Sequence, residues 1–210
     1  MTQQVIPGVT SLRVEPDGSV RIGSAAHYSQ FGPGGALTML GTARVVKDIQ
    51  ISLSGLGKGA AAPGTIYLGN YMGFEFTSGD SVYYSAEVPY DWDESTDLLV
   101  ELHWYVNEAV GDPVKEVAWE LHYTATTETG TEAADAGSAT IASGDIVIPT
   151  VAKHLTQTTL AIPFAALAHD DVLGIKIERV AIADGSAPTA KPVLVGAMIE
   201  YTAHALGEAI

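Results

Sequence analysis

Residues 98–106 read LLVELHWYV, and residues 117–124 read VAWELHYT. In the first stretch, Val100, Leu102, Trp104 and Val106 alternate with Leu99, Glu101, His103 and Tyr105. In the second, Val117, Trp119, Leu121 and Tyr123 alternate with Ala118, Glu120, His122 and Thr124. Side chains along a strand point to opposite faces with period two, so each stretch predicts a strand with one apolar and one mixed face. Residues 107–113, NEAVGDP, supply Gly111, Asp112 and Pro113 as turn residues between them. The two stretches are therefore expected to form a long β-hairpin at the centre of the core. Pairing Trp104 with Trp119 sets Leu102 against Leu121, Val100 against Tyr123 and Val106 against Val117. A slip of one residue would turn apolar groups to the wet face. The same register sets Glu101 opposite His122 and His103 opposite Glu120, and such pairs contribute roughly 0.2–1 kcal/mol each.

The alternation recurs on both sides of this centre. Upstream, it includes Ile49, Ile51 and Leu53, and then Val82, Tyr84, Ala86 and Val88. Residues 65–77 carry two short pieces split by Gly69-Asn70. Downstream, strands are expected over 155–162 and 172–180, with weaker signals at 139–148. A last strand carries Val193, Val195, Ala197, Ile199 and Tyr201. Pro163 suits the first position of one helical turn over 163–168. Residues 126–138, TTETGTEAADAGS, read as a polar surface loop. About eight or nine strands with turn residues between them, and no long amphipathic helix, predict an all-β, antiparallel double-sheet sandwich, with the strand count of a jelly roll.

The sandwich is expected over residues 45–205, and residues 1–44 read as an N-terminal arm. Residues 11–22, SLRVEPDGSVRI, hold two alternating pieces around Pro16-Asp17-Gly18, a hairpin signal. Residues 23–41 are rich in glycine, with GPGG at 32–35, and read as an extended arm lying on a neighbour or as a flexible leader.

Composition narrows the partners. The chain has 210 residues, long enough to bury a core without staples, and no cysteine, which excludes disulfides and thiolate metal sites. Its net charge of −15 opposes binding to nucleic acid and to anionic lipid. No basic and apolar leader opens the sequence, and no apolar stretch is long enough to cross a membrane.

Residues 88–104, VPYDWDESTDLLVELHW, resemble the virion jelly-roll proteins of tailed bacteriophages and related viruses: head fibres, decoration proteins and jelly-roll capsid proteins. The shared features are Pro89, Asp91-Trp92-Asp93, Trp104, Val117-Ala118-Trp119, Asp170-Asp171, Arg179 and Tyr201, covering roughly residues 80–202. The resemblance implies a non-enzymatic virion subunit of decoration or head-fibre type, made in the host cytoplasm. It also implies a homo-oligomer, a trimer, held to other virion proteins through the arm. A major capsid subunit is the alternative within the same class.

Other readings rest on the residues themselves. Asp91, Asp93 and Asp97 begin like a calcium loop, but Thr96 stands where that loop needs glycine and Leu102 where it needs glutamate. The plainer reading is an acidic turn before the next strand, with Trp92 folded over the core edge. Glu101, His103, Glu120 and His122 would share one face of the hairpin. That arrangement reads as ion pairing on a wet or subunit-facing surface, or else as a metal site or the two carboxylates of a sandwich glycosidase. Tyr67, Tyr71, Phe74, Tyr83 and Tyr105 offer aromatic surface to a sugar or to another subunit, and a carbohydrate-binding module is the reading from a different class. Residues 55–59, GLGKG, lack the spacing of a phosphate-binding loop, and no nucleophile elbow, dinucleotide fingerprint or H-E-x-x-H occurs.

Overall fold

The alternation of residues 98–106 and 117–124 holds side chain by side chain, yet the two stretches belong to different sheets. The computed structural model describes residues 12–40, 44–111, 113–127 and 138–206. The strands of the body are β5 (Val45–Ile51), β6 (Gly57–Lys58), β7 (Gly64–Leu68), β8 (Tyr71–Glu75), β9 (Ser81–Glu87), β10 (Leu98–Val106), β11 (Glu116–Thr126), β12 (Ala139–Val147), β13 (Thr156–Ile162), β14 (Val172–Val180) and β15 (Pro192–Ala203). One sheet runs β13-β10-β15-β8-β7, with β5 also on β15; the other runs β12-β11-β14-β9-β6. All of these pairings are antiparallel.

Within β8 to β15 the first strand lies beside the eighth, the second beside the seventh, the third beside the sixth and the fourth beside the fifth. That is a long antiparallel ribbon rolled into two sheets, the jelly roll. The expected double-sheet sandwich is therefore the observed fold. The expected helical turn is present but shorter, over Phe164–Ala166, and Pro163 caps it with extended backbone instead of taking its first position.

The hairpin at the centre is corrected. Strand β10 pairs with β13 and β15, while β11 pairs with β12 and β14. Alternation dictates which side chains face the core but not which strand lies alongside. Two apolar faces in one sheet would still need an opposing layer, and setting them against each other satisfies both. Trp104 and Trp119 meet across the core with ring centroids 6.0 Å apart, and Phe76 packs edge-on against Trp119 at 5.1 Å. All three are fully buried. The Trp104 indole N–H donates to Thr158 Oγ1 at 2.9 Å. The chain from β10 to β11 thus passes from one sheet to the other instead of closing a hairpin.

Residues 12–40 form a small sheet of their own. Strands β1 (Leu12–Val14), β2 (Val20–Gly23), β3 (Tyr28–Phe31) and β4 (Leu37–Leu40) make an antiparallel meander, and β16 (Ala205–Leu206) adds to β4. The hairpin expected over 11–22 is present, with Asp17 Oδ1 accepting from the Ser19 amide at 2.9 Å inside its turn. The stretch 23–41, expected to be extended or flexible, holds a second hairpin across GPGG, where Gly35 takes φ 86°. Strand β15 runs straight on into β16, so β5 lies on residues 197–203 and β4 on residues 205–206. Residues 1–11 of the expected arm and most of the loop expected at 126–138 lie outside the described residues.

Candidate binding surfaces

Because β10 and β11 sit in opposite sheets, the residues expected on one face divide between two. Glu101, His103 and Tyr105 point outward from the first sheet; Glu120 and His122 point outward from the second. The expected pairs Glu101–His122 and His103–Glu120 do not form. Glu101 lies opposite Thr159 and Met198 instead, and His122 opposite Thr140 and Lys176. The two carboxylates on opposite sides of the sandwich cannot serve one glycosidic bond, so the Glu101/Glu120 glycosidase pair is overturned.

On the first sheet, Glu101 is only 6% exposed, with His103 Nε2 at 3.9 Å. Glu200 and Asp48 are register partners on the same side. Burial, together with the charges of Glu101 and Asp48, raises the Glu200 carboxyl above its ordinary value. Tyr105 is buried against a small cavity of about 110 Å³ shared with Ile66, Leu68, Glu75 and Val193. Burial, helped by Glu75, raises its phenol. Tyr67 and Tyr71 are 73% and 67% exposed at the β7–β8 hairpin. Tyr67 lies opposite Met72 and Tyr71 opposite Leu68, so the two rings leave opposite faces and form no common platform.

The second sheet carries an open groove of about 340 Å³. Its floor follows from register: Thr124, Gly174 and Ser85 form one outward row, and His122, Lys176 and Tyr83 the next. Gly174 supplies no side chain, so the first row dips and the second walls it. His122 is held in place from three sides. Its Nδ1 lies 2.9 Å from Thr140 Oγ1, and its Nε2 lies 3.3 Å from Glu120 and 3.4 Å from Glu178. Lys176 is ion-paired with Glu178. The groove therefore offers an aromatic ring, an imidazole, an ammonium and hydroxyls, with its charges largely matched internally. Tyr83 and His122 stand out in the sequence as single residues; Lys176, Ser85, Thr124 and Gly174 do not. The available signal was the glycine inside VLGIKIERV, since glycine inside a strand marks a gap or a close approach.

In the acidic turn, Trp92 folds over the core edge as expected. Trp92 is fully buried and donates its indole N–H to the Thr96 carbonyl at 2.9 Å. Asp91 pairs with Lys47 and accepts from the Tyr201 hydroxyl at 3.2 Å. Asp93 meets Arg44 at 2.6 Å and accepts from the Ser95 amide and hydroxyl, whereas Asp97 accepts from the Phe164 amide. The three carboxylates thus share no partner: Asp91 holds Lys47 and Tyr201, Asp93 holds Arg44 and Ser95, and Asp97 holds the Phe164 amide. Burial alone would raise the Asp93 carboxyl, but the Ser95 hydrogen bonds and Arg44 outweigh it and hold it below its ordinary value. Arg179 is buried and donates to the Phe76 carbonyl at 3.2 Å.

The meander has two unlike sides. Its register places Arg13, Arg21, Gln30 and Thr38 on one side. There Gln30 bridges Arg21 and Ser19 through 2.8 Å hydrogen bonds, Glu15 lies 3.4 Å from both arginines, and Arg21 stacks over Tyr28. The other side carries Leu12, Val14, Val20, Ile22, Phe31 and Leu37, with Ser29 between Ile22 and a Met39 that is already buried.

No protein-family model matches the sequence, and no curated protein is a significant match. Among solved structures, the fold is similar to a xylan-binding module, CBM15, at 11% identity and TM-score 0.42, covering 75% of this chain and 97% of that one. It is also similar to a CBM36-1 domain of a multidomain xylanase from the hindgut metagenome of Trinervitermes trinervoides, at 12% identity and TM-score 0.38, covering 79% of this chain and 100% of that one. A third similarity is to the VP2 subviral particle of infectious bursal disease virus, at 13% identity and TM-score 0.38, covering 90% of this chain but 43% of that one. Likenesses at this level carry no function to this chain; the jelly roll rests on its own strand order.

Proposed function

We propose that this chain is a virion structural subunit of the decoration or head-fibre kind, a non-enzymatic jelly roll that acts through assembly contacts. The observation that carries this reading is the small third sheet, the meander, appended to the sandwich. Residues 12–40 and 205–206 build a layer whose residues stand outside the core cluster of the sandwich and which exposes Val14, Ile22 and Phe31 on its apolar side. Such a layer suits attachment. The residues that carry the resemblance to virion jelly rolls, among them Trp92, Trp104, Trp119, Arg179 and Tyr201, are buried in the sandwich. A charge of −15 suits an outer position better than one lining nucleic acid.

Deleting residues 1–40 tests the reading. Full-length chain is expected to co-sediment with the particle it belongs to, and the deletion variant to remain in the supernatant while its sandwich still folds. Attachment retained by the variant would sink the assembly reading. A major capsid subunit would instead close into shells from purified chain alone.

The groove beside Gly174 favours a second reading, a carbohydrate-binding module. An exposed aromatic ring with matched charges and hydroxyls suits a neutral saccharide. In that case titration with neutral oligosaccharides gives saturable heat that Tyr83→Ala reduces at least tenfold, and a flat titration removes this reading.

A further inference from the structure

We infer that the apolar side of the meander is buried against the same side of a second copy of this chain. The inference deepens the assembly reading and rests on it. A sheet that is polar on one side and apolar on the other needs a covering layer for the apolar side. Met39 on that side is already buried, and the open part is Val14, Ile22 and Phe31, at 58%, 40% and 46% exposure. The opposite side is already satisfied by its hydrogen-bonded network.

Charge selects the occupant. Residues 12–40 carry two arginines, Arg13 and Arg21, and two carboxylates, Glu15 and Asp17, so the whole excess of −15 belongs to the rest of the chain. Two copies repel wherever their bodies approach. The neutral meander is where they can meet without that cost. A basic partner would seek the acidic body instead. An apolar field also matches itself, which is what a twofold contact requires.

Geometry selects pairing over the three-copy assembly that the resemblance implies. Two sheets pack face to face about 10 Å apart and cover each other fully, whereas flat faces around a threefold axis stay partly open. The field is also small. With strands about 4.8 Å apart and about 3.4 Å per residue, it falls well short of the roughly 800 Å² per partner of a stable interface. Pairing is thus reversible in dilute solution and strengthened where many subunits share one particle.

The test is the solution mass of the full chain by light scattering across a dilution series. The mass is expected to climb from 21.9 kDa towards twice that value with concentration. Ile22→Asp and Phe31→Asp are expected to stay monomeric throughout, with unchanged circular dichroism. The chain has no cysteine, so single replacements report contacts cleanly. Ile22→Cys is expected to cross-link into dimers with a short bismaleimide, and Arg13→Cys, on the networked side, is not. A wild-type chain that stays monomeric and gives no Ile22→Cys cross-link overturns the inference. So does a limiting mass of three copies, or a mass indifferent to both aspartates. A monomer whose particle attachment still requires residues 1–40 would defeat self-pairing and leave the assembly reading standing. Attachment without residues 1–40 would defeat the assembly reading itself.

Discussion

Trp119 has no exposed surface and touches both Trp104 and Phe76. Truncating a buried aromatic removes its transfer energy and leaves a cavity. Trp119→Ala is therefore expected to lower the unfolding free energy by about 3–5 kcal/mol in urea denaturation. Tyr71→Ala, at a site 67% exposed, should stay within about 0.5 kcal/mol of wild type. Tyr201 adds a pH dependence. Burial, then the charge of Asp91 and the hydrogen bond to it, push its phenol up to about 12 from an ordinary 10.0. The folded state keeps that proton after the unfolded state has lost it. The stability from Tyr201 is thus whole below pH 10 and falls away as pH rises through 12. Urea midpoints of Tyr201→Phe should decline less than wild type across that window.

At the scale of strands, β8 meets β15 at Gly73. A Cβ there would overlap the Val193 side chain and stand 3.1 Å from the Leu194 carbonyl oxygen. Gly73→Ala is expected to cost about 1–3 kcal/mol through overpacking. Gly64→Ala on the neighbouring strand β7 has open space and should be near neutral; thermal melts of the two variants make the comparison. Strands of this kind were legible in the sequence because their signals are local. Residues 172–180 became β14 without adjustment, and the split at Gly69-Asn70 became the β7–β8 turn. Pairing was not legible. Period two sorts side chains into two faces, and a stretch such as LLVELHWYV fits several partners equally well. The same limit hid the groove. His122, Lys176 and Tyr83 are adjacent only because β14 lies between β11 and β9, and nothing in the spacing of 83, 122 and 176 announces it. The meander was half legible: its first hairpin carries alternation and a Pro-Asp-Gly turn, whereas its second is diluted by glycine.

At the scale of the molecule, the meander joins the sandwich through the chain between β4 and β5 and through the run from β15 into β16. Its removal leaves the two-tryptophan contact and every jelly-roll pairing untouched. A chain lacking residues 1–40 is accordingly expected to keep a single cooperative thermal transition, and loss of cooperativity by circular dichroism would contradict this. The two connections also limit how the meander can turn. A module on one strand swivels about its single tether, but one hung from two antiparallel strands resists twisting, as a sign on two chains does. One of the two, β15, lies between β10 and β5. Torque on the meander therefore passes directly into the middle of a sheet. On the proposed pairing, every subunit would then present its apolar side at the same angle to its body, and identical copies could build a regular lattice without a separate part to set their orientation.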